Sequence, residues 1–416
     1  MDKNKRLTVW LPVIIAASIA LGIFIGNHYL SISQGKKRSY SSGNKINAIL
    51  DIIDEQYVDT VSMSKLVEST IPKIFSELDP HSVYIPAEDA SVVNEELEGS
   101  FSGIGVSFNM QTDTILVISV ISGGPAEKAG LLPFDRIISI NDSIFSGKKK
   151  NQGEIMKTLR GAKNSTVKLG VQRGNSPELL YFDVTRGDVP VNSVDVSFEA
   201  AKGIGYIKVS KFARNTYNEF ITAIAKLKQA GCTSFVIDLR GNTGGYMDAA
   251  INMINEFMPE GRLIVYTEGK SFPRSDVYAN GTGTCKDAPI VVLTDEISAS
   301  ASEIFSGAIQ DNDRGTIIGR RTYGKGLVQT QMSLSDGSEM RLTIARYYTP
   351  SGRCIQKKYE MGNTDAYDQD IYNRYMHGEF DSADSIKMDD SLKYQTVGGR
   401  TVYGGGGIMP DIFIPR

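Results

Sequence analysis

TDEISASASEIFSGAIQDNDRGTIIGRRTYGKGLVQT occupies residues 294–330, and its hydrophobic period changes as it runs. Just upstream, Pro289 to Leu293 is a short apolar, β-branched run, the composition of a buried strand. Ala301, Ile304, Phe305 and Ala308 then recur at helical spacing, and Thr316 to Ile318 is β-branched again. The predicted order is strand, turn, helix, strand, turn, strand. Ser300 falls where the first strand hands over to the helix. The first N–H groups of a helix have no intrahelical acceptor, so a negatively charged oxygen can be held there.

A serine nucleophile needs a base, and the chain has only three histidines. His28 borders an apolar run, His81 lies in a Pro-containing turn, and His377 lies in a polar stretch. None sits in a setting that suggests a triad, and His81 reads as structural. Lys325 lies between two glycines, which let the backbone turn sharply and approach other elements. A lysine serves as general base when burial lowers its pKa. Gln329, four residues on in a strand, is placed to accept a hydrogen bond from that amine. The competing readings are plain: a serine at a helix start is more often a cap, and Gly-Lys-Gly is usually a solvated turn. Gly319 to Lys325 also fits the phosphate-loop spacing G-x-x-x-x-G-K. Gly326 stands where a Ser or Thr would hold magnesium, and a strand follows instead of a helix, so the phosphate reading is rejected.

SASASE at 298–303, Asp311 eleven residues after Ser300, and YGKGLVQ at 323–329 resemble the carboxy-terminal processing peptidases, or tail-specific proteases. The 25-residue interval from Ser300 to Lys325 matches as well, and it selects Ser300 over Ser298 and Ser302. The resemblance implies that Ser300 is the nucleophile, Lys325 the general base and Gln329 the lysine's partner. It covers nearly everything after residue 44.

Residues 93–186 resemble a PDZ domain. Gly103-Ile-Gly-Val106 precedes a strand, and the apolar run Ile115 to Val120 follows. Pro125 to Leu131 gives a short helix, Asp135 to Asn141 a turn and strand, and Asn151 to Arg160 a second helix with Ile155, Met156 and Leu159 inward. A peptide's terminal carboxylate must approach bare backbone N–H groups while its chain adds a strand to the sheet edge. The resemblance makes Gly103, Ile104, Gly105 and Val106 the loop that receives it. Arg173, at the end of the strand from Val167, is left between a contact to the peptide or the core and an exposed strand arginine.

The catalytic body starts near Gly187. Gly205 to Val209 reads as a strand, and Tyr217 to Ala230 as an amphipathic helix with Phe220, Ile224 and Leu227 on one face, stopped by Gly231. Ser234 to Leu239 is a second strand, and residues 238–245 read DLRGNTGG. G-N-T-G-G is not the G-x-G-x-x-G of a dinucleotide site. In the resembled family this loop supplies an oxyanion donor, which places that role on Gly245 together with the N–H of Ala301; Asp238 and Arg240 would hold the loop. Tyr348 to Ile355 resembles the family's Y-T-P-S-G-R block, with Cys354 where serine is usual. Gln356 to Gln395 is polar and barely periodic, and Gly404 to Asp411 closes the core.

At 416 residues, 41% hydrophobic and 22% charged, the chain has room for two or three globular domains. A net charge of −3 gives no reason to expect nucleic acid. Cys232, Cys285 and Cys354 have no metal spacing and read as isolated thiols, and no metal or cofactor is expected. Thr8 to Gly26 carries no charge over 19 residues, behind Lys3, Lys5 and Arg6, long enough to cross a bilayer. Lys36, Lys37 and Arg38 nearly balance the charge rule for orientation. The resemblance decides it, with the body in the periplasm of a bacterium and the anchor in the inner membrane.

The expected architecture is mixed α/β. A cytoplasmic tail (1–7), a transmembrane anchor (8–26) and a linker (27–43) precede an N-terminal helical segment (44–92). Ile46, Ile49, Leu50 and Ile53 mark its first helix, and Leu66 to Leu78 its second. The PDZ domain (93–186) is then inserted ahead of a crotonase- or ClpP-like protease core (187–416), with 356–400 as a surface excursion. The expected activity is an endopeptidase that takes free, apolar protein C-termini and cleaves near them. The resemblance leaves room for a homo-oligomer or an adaptor protein. The rival is a non-catalytic PDZ adaptor on a degenerate peptidase body, against which the intact Ser300, Lys325, Gln329 and Gly245 argue. An acyl-CoA hydrolase on the same fold is weaker, because a PDZ block has no role there.

Overall fold

The computed structural model describes residues 16, 18–21, 42–111, 114–148 and 152–416, in two units, 1–70 and 71–416. The expected membrane segment lies almost wholly outside the described residues. Residues 16 and 18–21 are helical, and among the described residues no helix is long and apolar enough to cross a membrane. The amphipathic pattern from Ile46 forms the helix Ser42–Gln56, which begins inside the expected linker. A second helix, Met63–Phe75, follows.

Two sheets position the chemistry in the larger unit. The first has six strands in the order Val194–Ala201, Ile204–Val209, Ser234–Asp238, Ile290–Thr294, Thr316–Gly319 and Ile412–Phe413. All neighbours run parallel except the first pair. Parallel strands are covered on both faces and so read as continuous apolar runs; Ile237, Val292 and Ile317 are fully buried. The helices Thr216–Gln229, Met247–Asn255 and Ala301–Asp311 bury Phe220, Ile224, Met253, Ile254, Phe305 and Ile309 in the same core. The second sheet is antiparallel, with Glu339–Tyr348 at its centre. Val83–Ile85, Leu263–Glu268 and Leu327–Ser333 all pair with that strand. Ser300 thus leaves the end of the first sheet, and Lys325 enters the second.

Strands Val106–Gln111, Thr114–Val120, Arg136–Ile140, Thr166–Gln172 and Leu180–Thr185 form the sheet of the PDZ-like region, with Val106–Gln111 at an edge. Ile104, Ile115, Ile137, Ile155 and Leu169 are in its core. The eight-residue helix Gln152–Leu159 buries Ile155 and Leu159, one turn apart, but leaves Met156 exposed, contrary to expectation. A helix that short offers only one i, i+4 pair to the core. Arg173 forks onto Asp135 at 2.8 Å through both Nε and Nη2 and donates to the Gly130 carbonyl, so it braces the domain internally.

Two features differ from the sequence reading. The helix Ala87–Glu98 has an acidic sequence without a clear apolar stripe, and it ends at Gly99 with φ +73° before the PDZ-like sheet. The excursion after Gln356 is also more embedded than expected. It contains the helix Thr364–Met376, which buries Tyr367 and Arg374, and Phe380 follows it into the interior. Buried tyrosine and arginine do not register in a hydrophobic pattern, which is why the stretch reads as polar.

Candidate active site

Ser300 begins the helix Ala301–Asp311, every residue of which is buried. Its backbone has φ +55° and ψ −113°, well outside the ordinary left-handed basin and unusual for a residue with a side chain. Neighbouring groups hold it there. Ala299 N–H donates to Asn242 O at 3.0 Å, Ser302 Oγ to the same carbonyl at 2.9 Å, and Ser298 Oγ to Leu239 O at 2.8 Å. Asn242 in turn donates to Val209 O and accepts from Gly244 N–H. The loop after the strand Ser234–Asp238 is thereby stitched to the serine turn.

That loop cannot carry side chains at its tip. A Cβ on Gly244 would stand 2.8 Å from Ser300 Cβ and 3.1 Å from Ala301 N. Gly245 has φ +139°, and a Cβ there would stand 2.1 Å from Phe212 O. Among the described residues, neither Gly245 N–H nor Ala301 N–H donates to a protein acceptor. Both residues line the same cleft as Ser300. Asp238 holds the loop's start, accepting from Arg240 at 2.7 Å and from Tyr206 OH at 2.5 Å.

The cleft has a volume of about 550 Å³, and Lys325, Gln329, Leu327, Val328, Ile304 and Met247 also line it. Lys325 Nζ donates to Gln329 Oε1 at 3.2 Å. Burial, aided by the nearby positive charge of Arg341, pushes the Lys325 ammonium below its ordinary pKa. No hydrogen bond joins Ser300 Oγ to Lys325 Nζ. The Gln329 amide is fixed from its other end, where Nε2 donates to the backbone carbonyl of His81. His81 does not line the cleft. Burial, with the charge of Lys325 adding to it, pushes its imidazole down to about 4.

Two side chains fix the backbone of the serine and the lysine together, and sequence reasoning gave neither a role. Glu303 accepts from Ser300 N–H at 2.8 Å, Lys325 N–H at 2.9 Å, Gly324 N–H at 2.7 Å and Thr322 Oγ1 at 2.5 Å. Burial pushes its carboxyl up to about 7 against those four donors. Its visible signal was the S-x-x-E spacing from Ser300, which marks a capping box. Tyr347 OH lies 3.1 Å from Ser300 O and 2.6 Å from Lys325 O, and full burial keeps its proton on. Asp311, by contrast, lies at the far end of the serine helix. It pairs there with the buried Arg353 at 2.7 Å.

In the PDZ-like region, Gly105 has φ +78°, and the carbonyls of Ile104 and Gly105 accept from Ala126 and Ile121. The N–H groups of Ile104 and Gly105 have no protein acceptor among the described residues. Gly103 pairs with Gly187, and Val106 opens the edge strand. This loop is separate from the cleft.

The model of peptidase family S41 matches residues 203–365, and a PDZ domain model matches residues 102–195. The carboxy-terminal processing protease CtpB of Bacillus subtilis (strain 168) is 35% identical over 318 residues, 76% of this chain and 66% of that protein. A probable CtpA-like serine protease of Staphylococcus aureus (strain N315) is 33% identical over 365 residues, 86% of this chain and 72% of its own. The chain belongs to the carboxy-terminal processing proteases of family S41. Within family S41, the described stretch from Gly203 to Asp365 holds Ser300, Lys325, Gln329, Gly245, Glu303 and Tyr347 together. Among solved structures, the photosystem II D1 C-terminal processing protease is similar over 90% of this chain and 94% of its own, at 24% identity and a TM-score of 0.44, too loose a likeness to place any residue.

Proposed function

We propose that this S41 protease uses Ser300 as nucleophile and Lys325 as general base to cleave protein substrates near their free C-termini. The observation that carries the reading is Lys325 itself. Its amine is buried, has its pKa lowered, is held by Gln329, and shares a cleft with a serine at a strained helix start. Substrate binding completes the contact between Ser300 Oγ and the lysine; catalytic hydrogen bonds often tighten only in the complex. In its uncharged form, which burial favours, Lys325 takes the hydroxyl proton as Oγ attacks the scissile carbonyl. It then delivers that proton to the leaving amine. The N–H groups of Gly245 and Ala301 hold the oxygen that gains charge. Water repeats the sequence on the acyl-enzyme. No step calls for a cofactor.

The same reading gives Gly103, Ile104, Gly105 and Val106 the task of receiving an apolar tail, supported by the free N–H groups and the adjoining edge strand. It treats the helix-flanked sheet as a crotonase-like core. It anchors the chain in the bacterial inner membrane through residues 8–26, with the body in the periplasm, on the strength of 19 uncharged residues.

The test mixes the full-length protein with an unfolded reporter ending in an apolar free carboxylate. Ser300→Ala, Lys325→Ala and an amidated reporter run beside it. Cleavage that disappears in all three is the expected result. Cleavage by the Lys325→Ala protein overturns the mechanism, and undiminished cleavage of the amidated reporter overturns tail recognition.

A further inference from the structure

Three groups that the mechanism does not use form a connected path behind the lysine. His81 Nε2 lies 2.9 Å from Tyr367 OH, and the two rings meet edge to face with centroids 5.2 Å apart. Gln356 Nε2 donates to the Tyr367 oxygen at 3.3 Å. His81 and Tyr367 thus share one hydrogen bond, whose direction follows the imidazole tautomer. His81 is thereby fixed in a turn that Asp79 also holds, through bonds to His81 N–H at 3.0 Å and Ser82 N–H at 3.1 Å. The carbonyl of that turn is the one that receives Gln329 Nε2.

Tyr367 has little freedom. It is buried, and Lys357 Nζ lies over its ring at 4.0 Å and over the Tyr323 ring at 4.0 Å. Lys357 also donates to Tyr367 O and Asp370 Oδ2, each at 3.1 Å. Two turns on, Arg374 donates to Thr322 O at 3.0 Å and to Arg321 O at 2.8 Å, on the segment that leads into Gly324. Lys357 N–H donates to Gly324 O at 2.9 Å. The helix Thr364–Met376 therefore grips the lysine turn through its backbone and reaches the lysine's partner through His81.

We propose that Tyr367 and His81 are positioning residues for the Lys325–Gln329 pair: the Tyr367 hydroxyl holds the 79–82 turn, whose His81 carbonyl sets the Gln329 amide that aims the Lys325 amine. His81 is not itself the base. Its Nε2 is occupied, and its ring is outside the cleft. The 356–400 stretch instead buries a tyrosine against the turn whose carbonyl receives Gln329 Nε2. The proposal rests on Lys325 acting as the base.

The decisive variant is Tyr367→Phe, which keeps the ring against Lys357 and Tyr323 and removes only the hydroxyl. In full-length protein its kcat should fall about tenfold at unchanged KM, with the protein still folded and its melting temperature lowered by only a few degrees. That size is the loss of roughly one hydrogen bond's worth of alignment at the transition state. In a Gln329→Ala background the same substitution should cost less than twofold, because its route to the lysine is already cut. His81→Ala should match Tyr367→Phe, and the two together should cost no more than either. Tyr372→Phe, on the exposed side of the same helix, should leave kcat unchanged. A full tenfold loss that persists without Gln329, or a wild-type kcat in Tyr367→Phe, overturns the proposal.

A second readout does not depend on proteolysis. In Ser300→Ala protein, the rate at which acetic anhydride modifies the Lys325 amine, read by mass spectrometry, should rise several-fold when Tyr367→Phe is added. An unchanged rate overturns the positioning role even if no substrate is cleaved. An inactive wild type with a raised Lys325 rate in the variant would instead overturn the catalytic reading and leave the brace standing.

Discussion

Substituting Gly245 with alanine tests the proposed oxyanion loop most directly, because the structure gives both the reason for damage and an internal control. At φ +139° a residue with a Cβ is strained, at a cost of about 1–3 kcal/mol. The added carbon would also stand 2.1 Å from Phe212 O, closer than real Cβ contacts. The contact is to backbone, and Tyr246 N–H is bonded to that same Phe212 carbonyl at 2.7 Å, so neither side yields without moving the loop. A shift of about 1 Å is enough to cost about a hundredfold in rate at a reacting centre. Loss of one oxyanion donor costs about 10²–10³ in kcat, or about 2.7–4 kcal/mol. Gly245→Ala should therefore lower kcat by about 10²–10³ with KM within a few-fold of wild type. Gly241 is the control: it lies four residues earlier in the same loop, has φ +75°, and a Cβ there would meet nothing within 4 Å. Gly241→Ala should lose about 1 kcal/mol of stability from the left-handed backbone and keep its kcat within about threefold. Full-length proteins would be compared by reporter cleavage at saturating substrate and by thermal melting. A folded Gly245→Ala protein with a third or more of wild-type kcat would refute the assignment.

Lys325→Arg should be inactive, yet fold, because a guanidinium stays charged and cannot accept the serine proton; measurable turnover would rule the base out. In the wild type, kcat should rise with pH as Lys325 loses its proton, with the midpoint below the ordinary lysine range because burial depresses it; a midpoint at the free-lysine value would contradict the buried base. His81 has a folded pKa of about 4, below its unfolded value of 6.5. The unfolded chain then binds the proton more tightly, so the contribution is intact above pH 6.5 and lost as pH falls through 4. Melting temperatures at pH 7, 5.5 and 4 should fall more steeply for wild type than for His81→Gln. Asp311→Ala leaves the buried guanidinium of Arg353 without its carboxylate, which should cost about 3–5 kcal/mol in denaturant unfolding. Adding Arg353→Met should recover part of that loss.

The residues that carry the proposed chemistry were legible where the structure is local. Ser300, Lys325 and Gln329 fall within one strand-helix-strand-turn-strand passage, and the periods of hydrophobicity in that passage match the elements observed. Gly245 was reached through the family resemblance, and the structure supplies a reason for a glycine there, since a Cβ would meet Phe212 O. The supporting groups were not. His81 is 248 residues from Gln329 in sequence and meets it through a backbone carbonyl, which no side-chain pattern encodes. Tyr347 looks like any alternating residue of the strand Glu339–Tyr348. Tyr367 and Arg374 are buried through hydrogen bonds and ring contacts, so a search for apolar periodicity passes over them. The helix Ala87–Glu98 was missed for a related reason: Glu98 serves as an anchor, accepting from Arg214 at 2.7 Å and from Tyr246 OH at 3.0 Å, and that tie leaves no hydrophobic trace.

Lys325 and its partner Gln329 are held by Glu303 from one sheet's helix, Tyr347 from the other sheet, the 79–82 turn from early in the chain and the helix Thr364–Met376 from late in it. Contacts so far apart in sequence close late in folding, because each must wait for long loops to be brought together. A ribosome-bound fragment ending before residue 374 would contain Ser300, Lys325 and Gln329 yet lack part of what aims them. Ordering of the Lys325 turn should therefore follow, and not precede, the docking of the helix Thr364–Met376.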